Sequence, residues 1–100
     1  MNIRMTNLNI ENKVIESIEM SVVSGAIVRI KYKEDDKIKL NYDIDVVNNG
    51  RVLINIKSGF LIDDKVECNS TILKKAVEEL EERIEILVAL ACEESGFNIM

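Results

Sequence analysis

One hundred residues, 47% of them hydrophobic, carry 18 acidic and 13 basic side chains for a net charge of −5, which excludes a disordered chain and fits a single domain over residues 1–100. Histidine, proline and tryptophan are absent, and with histidine go the commonest general base and the commonest metal ligand. No apolar run reaches the roughly 20 residues that span a bilayer, and the N-terminus lacks the continuous apolar stretch of a secretory signal.

The N-terminal segment carries two periodicities. Ile3 and Met5, then Leu8 and Ile10, then Ile18, Met20 and Val22 alternate as a strand does, whereas Ile10, Val14, Ile15 and Ile18 fit one helical face. The alternation predicts an extended strand with a bulge or break near Asn12, pairing with the strands that follow. Ala26, Val28, Ile30 and Tyr32 form the apolar side of the next strand. Ile38, Leu40, Tyr42, Ile44 and Val46 alternate strictly with polar residues, the pattern of a half-buried strand. Val52, Ile54, Ile56, Phe60 and Ile62 mark one face of another.

The loops set the expected register. A two-residue turn on Asn49-Gly50 would oppose Ile44 to Asn55 and put the apolar faces on different sides of the sheet. A three-residue loop, Asn48 to Gly50, instead pairs Val46 with Val52, Ile44 with Ile54 and Tyr42 with Ile56. Glu34 to Asp36 as the preceding loop pairs Tyr32 with Ile38 and Ile30 with Leu40. Lys31 then faces Lys39 and Lys33 faces Lys37, an unfavourable opposition. The outer sheet face is expected to be basic, from Arg29, Lys31, Lys33, Lys37, Lys39, Arg51 and Lys57, with Leu53 and Leu61 among them.

A long helix follows. Asn69 or Ser70 can cap its start and Gly96 can end it. Leu73, Val77, Leu80, Ile84, Leu87 and Ala91 make its apolar seam, and the continuous run from Ile86 to Cys92 predicts a second half buried on more than one side. Lys74 and Lys75 in the first turn and Glu93 and Glu94 in the last oppose the helix dipole, so packing has to hold it. The expected fold is α+β: an antiparallel meander of three to four strands against one long C-terminal helix.

The chemistry-bearing residues form no catalytic, cofactor or metal set. Asp35-Asp36 and Asp63-Asp64 could hold a hard cation, but both fall where turns are expected, and aspartate favours turns for its own backbone bonds. Cys68 and Cys92 match no metal or redox spacing; isolated thiols suit a reducing cytoplasm, where this chain is expected to reside. The reading is of a non-enzyme. Direct nucleic-acid binding by the lysines is disfavoured by the acidic balance and by the lack of stacking aromatics among them. Glu78, Glu79, Glu81, Glu82 and Glu85 make the helix acidic, so that it could imitate a nucleic-acid backbone. The corresponding function would be a small phage-type inhibitor that blocks a nucleic-acid-binding host protein, with Glu78 and Glu82 in contact.

The order of elements and two short motifs carry a family resemblance. An N-terminal strand, a meander and a long helix resemble the layout of the SecB-like export chaperones. INIKSGFLIDD, with Gly59-Phe60, is similar to that family's last strand. ESGFNIM, with Gly96-Phe97, is similar to the end of its first helix, and MTNLNIENKVIESIEMSV would be its irregular first strand. The family's proline-rich segment has Asn98, Ile99 and Met100 in its place, and its second helix has no counterpart. The resemblance implies a four-stranded antiparallel sheet, a homo-oligomer joined through sheet and helix, and a chaperone or adaptor that binds a protein partner or unfolded client. Contact would fall on apolar residues expected to be exposed: Leu53, Leu61, Phe60 and Phe97.

Overall fold

The computed structural model describes residues 1–14 and 22–99. Its elements are β1 (Ile3–Asn12), β2 (Val22–Val23), β3 (Gly25–Glu34), β4 (Ile38–Asn48), β5 (Arg51–Ile62), α1 (Ser70–Glu94) and β6 (Asn98–Ile99). β3, β4 and β5 form the antiparallel meander, and β1 pairs antiparallel with β5, giving a four-stranded sheet in the order β1-β5-β4-β3. β2 and β6 make a separate parallel pair. Ile15 and Ile18, on which the helical alternative for the N-terminal segment partly rests, and Met20, which belongs to the strand alternation, lie outside the described residues, whereas Ile10 is in a strand.

The β4–β5 hairpin corrects the expected register. Asn48 pairs with Arg51 and Val47 with Val52, so the turn is the two-residue one, with φ of 49° at Asn49 and 80° at Gly50. Both values lie in the left-handed region that this tight turn requires and that Asn-Gly supplies. A bulge then skips Leu53, so that Val46 faces Ile54, Ile44 faces Ile56, Tyr42 faces Ser58 and Leu40 faces Phe60. One inserted residue restores the phase that a two-residue turn would otherwise lose. The β3–β4 loop is also shifted: Glu34 pairs with Ile38, Tyr32 with Leu40 and Ile30 with Tyr42. A shift of two keeps the faces but moves the charges. Only Lys33 and Lys39 remain directly opposed, while Lys31 faces Asn41 and Arg29 faces Asp43.

Gly59 has a steric role. A side-chain carbon there would collide with Asn7 and Thr6, which the β1 bulge between Met5 and Asn7 lays across it. The Asn7 and Thr6 side chains occupy the space that a side chain at this position would take, and they would have to turn aside to admit one.

Helix α1 starts on Asn69, whose side chain accepts a hydrogen bond from the Ile72 N–H at 2.9 Å. It ends where Gly96 turns to φ 75° and the Phe97 N–H reaches back to the Cys92 carbonyl at 2.9 Å. No acidic residue lies in its first turn and no basic one in its last. Leu80, Ala76, Ile84, Ala91 and Cys92 are buried against the sheet, with Ile72, Leu73, Leu87 and Val88 packed around them. The second half is covered on one side only: Ile86 and Leu90 are about half exposed, at 53% and 52%. The expectation of wider burial fails because no element among the described residues lies beyond that flank. None of the described helices is long and apolar enough to cross a membrane.

Candidate protein-binding grooves

The inner face of the sheet is apolar on all four strands, but the helix covers only two. Four strands about 4.8 Å apart span roughly 14 Å. A helix is about 10–12 Å wide with its side chains, so it lies over β4 and β5 and leaves both edges uncovered. On β4 and β5, Ile38, Leu40, Tyr42, Ile44, Val46, Ile54, Ile56, Phe60 and Ile62 are buried. On β3, the inward Val28, Ile30 and Tyr32 remain exposed, as do Met5, Leu8 and Ile10 on β1.

Two grooves result. Between β3 and α1, Val28, Ile30, Tyr42, Val77 and Ile84 line a groove of about 380 Å³ bordered by Glu78, Glu81 and Glu85. Those glutamates recur at three- and four-residue intervals, which places them on one side of the helix. Tyr42 stacks edge-on against Phe60 with ring centroids 5.5 Å apart. Its hydroxyl is buried with no hydrogen-bond partner among the described residues, as is that of Ser58 opposite it. Burial pushes the Tyr42 phenol up from its ordinary pKa. Between β1 and α1, Met5, Phe60, Arg83, Ile86, Leu87 and Leu90 line a smaller groove of about 230 Å³. Arg83 lies over the Phe60 ring, 5.4 Å from its centroid, and donates to the Ile3 carbonyl at 2.9 Å, so it ties α1 to β1 across the groove.

The outer face is mixed in charge rather than basic. Arg29 donates to Asp45 at 2.9 Å, and Asn55 donates to both Asp43 and Asp45, at 2.7 and 2.8 Å. The Arg29 hydrogen bond, then that of Asn55, holds the Asp45 carboxyl below the usual carboxylate range. Lys37 and Arg4 converge on Asp63, at 3.2 and 3.0 Å. Burial alone would raise the Asp63 pKa, but these two cations bring it below its ordinary value. Lys31, Lys39 and Lys57 have no ion-pair partner among the described residues.

The residues singled out from the sequence are scattered by this geometry. Leu53 and Phe60 are core residues, 2% and 1% exposed; Leu53 lines neither groove, and Phe60 reaches only the floor of the β1 groove. Leu53 was expected outside, but the bulge carries it into the core cluster. Phe60, a contact candidate under the family resemblance, is buried on β5 beneath Arg83 of α1. Leu61 is half-buried beside Lys33, Lys37, Lys39 and Asn41 on the outer face, and Phe97 is half-buried against the core. Glu78 is exposed on the border of the β3 groove, and Glu82 is exposed but lines neither groove. Met5, Leu8, Ile10, Val28, Ile30, Ile86 and Leu90 were missed as surface residues. The width of one helix set against four apolar strands is the signal that would have found them. Among the described residues no group of three or more potential ligands is placed to hold a metal ion. The chain matches no protein-family model, no curated protein and no solved structure.

Proposed function

We propose that this protein is a non-enzymatic protein-binding module of the cytoplasm, a homo-oligomeric chaperone or adaptor of SecB-like kind. The observation that carries the proposal is the pair of apolar grooves flanking α1. Clustered exposed apolar side chains at this density, bordered by charge, are characteristic of interaction surfaces. Self-assembly through the free edge of β1 is compatible with its side chains. An antiparallel pair centred on Leu8, with Thr6 and Asn7 counted as one bulged position, sets Met5 against Ile10 and Arg4 against Glu11. Light scattering across concentration tests the assembly: Leu8→Asp should give monomers, and a wild-type chain monomeric at about 100 µM would remove the oligomer. An aggregation assay with an unfolded client tests the binding. Suppression lost in Ile30→Asp or Leu90→Asp is the expected result, and no suppression by the wild type would overturn the chaperone reading.

A second reading rests on the helix. Glu78, Glu81, Glu82 and Glu85 are exposed without ion-pair partners among the described residues. Such a row suits an inhibitor that occupies the phosphate-binding surface of a nucleic-acid-binding protein. Capture experiments from a host extract with the wild type and with Glu81→Lys/Glu85→Lys distinguish it. Recovery of no nucleic-acid-binding protein, or equal recovery by both, ends this reading.

A further inference from the structure

Among the described residues no strand pairs with the outer edge of β1 or of β3, and these two edges offer different side chains to an added strand. On β3 the outward row is Ile27, Arg29, Lys31 and Lys33, and the inward row is Ala26, Val28, Ile30 and Tyr32. Pairing β3 with a second copy of itself about Ile30 would set Arg29 against Lys31 twice, and like charges directly opposed on a sheet are destabilising. In that register a second copy is a poor occupant of this edge. Arg29 is already held by Asp45, but Lys31 has no ion-pair partner among the described residues, and Lys33 meets only Asp35, at 3.6 Å with both side chains more than 70% exposed. The cations left for a partner thus lie on the outer face. The inner face bears the opposite sign, because Glu78, Glu81 and Glu85 border the groove above Val28 and Ile30.

We propose that the open edge of β3 receives, as a fifth strand, an extended segment of another protein in which apolar and acidic residues alternate. Its apolar side chains lie beside Val28, Ile30 and Tyr32 and fill the groove under α1, while its carboxylates lie on the outer face against Lys31 and Lys33. Every second residue of β3 turns its N–H and C=O toward the open side and supplies the backbone ladder. The two faces together select the register. A slip of one residue carries every carboxylate to the glutamate-bordered face and every apolar group into water. This deepens the protein-binding reading of the same groove and rests on it.

The probe is a seven-residue peptide alternating glutamate with valine or isoleucine, titrated against the labelled full chain and followed by backbone amide shifts. Two controls replace glutamate by lysine, or keep the composition and block the glutamates together. The alternating acidic peptide is expected to bind at least about tenfold more tightly than either control, with shifts centred on β3. Lys31→Glu/Lys33→Glu should reverse the preference to the lysine peptide, a rescue that a merely structural role for these exposed lysines would not produce. Equal binding of acidic and basic peptides, an unchanged preference in the double variant, or shifts centred away from β3 would overturn the proposal. If no peptide binds while an unfolded client still does, this inference falls and the wider reading stands; if neither binds, both fall.

Discussion

Strands β3 and β4 carry the same alternation of apolar and polar residues and face each other along their whole length, yet Ile44 is 0% exposed and Ile30 is 39% exposed. The difference is not in the strands. β4 lies under the helix and β3 lies beside it. Alternation reports that a strand has an apolar face; whether that face is covered depends on how wide the covering layer is. Here one helix serves four apolar strands, and the uncovered remainder on β1 and β3 is where the surface acquires its character.

The contrast between centre and edge is most directly broken by truncation. Ile56→Ala, at a position with no exposure, is expected to cost about 2–5 kcal/mol, whereas Ile30→Ala should stay within about 1 kcal/mol. Chemical denaturation of the two variants checks this, and a large cost at Ile30 would mean that something covers it in solution. How firmly β1 is attached comes next. Gly59→Ala should cost about 1–3 kcal/mol through collision with Asn7 and Thr6, and adding Asn7→Ala should restore part of the loss. The helix cover is tested by Asn69→Ala, which removes the bond to the Ile72 N–H and should cost about 1 kcal/mol.

The smallest effect concerns how β3 is held to β4. With its pKa lowered in the folded state, the Asp45 carboxyl contributes stability above its unfolded value of about pH 4, and that contribution is lost as pH falls through the folded value. Arg29→Ala should therefore reduce stability at neutral pH only slightly, because the pair is solvent-exposed, and make the acid-induced loss shallower. Denaturation midpoints at pH 7 and pH 3 give the comparison. An acid limb as steep in the variant as in the wild type would assign that loss to other carboxylates, Asp63 among them.

Much of the architecture was legible in the sequence because it is written in local signals. The strict alternation from Ile38 to Val46, the Asn69 cap and the Gly96 stop each act within a few residues of themselves. Register was not legible, because the β4–β5 hairpin reconciles its turn with its faces through a bulge at Leu53, and no local pattern announces a skipped residue. The same bulge moved Leu53 from a surface candidate to the core. Gly59-Phe60 was read as a motif, whereas its glycine answers to the packing of Asn7 and its phenylalanine to burial under α1. The candidate grooves were illegible for a different reason. They are a property of the gap between elements, and Ile30 and Met5 are indistinguishable from core residues until the position of the helix is known.

The pairing of β1 with β5 also has a consequence in time. A chain made from its N-terminus produces Met5, Leu8 and Ile10 early, but their partner strand is complete only at Ile62, 50 residues after Asn12. At about 5–20 residues per second the wait is roughly 3–10 s, with an alternating apolar segment unpaired throughout. Helix α1, with no acidic residue in its first turn and no basic one in its last to complement its dipole, is a poor nucleus on its own and comes later still. The first strand made is among the last to find its place, and during that interval the nascent protein is itself a client for any factor that shields exposed strands.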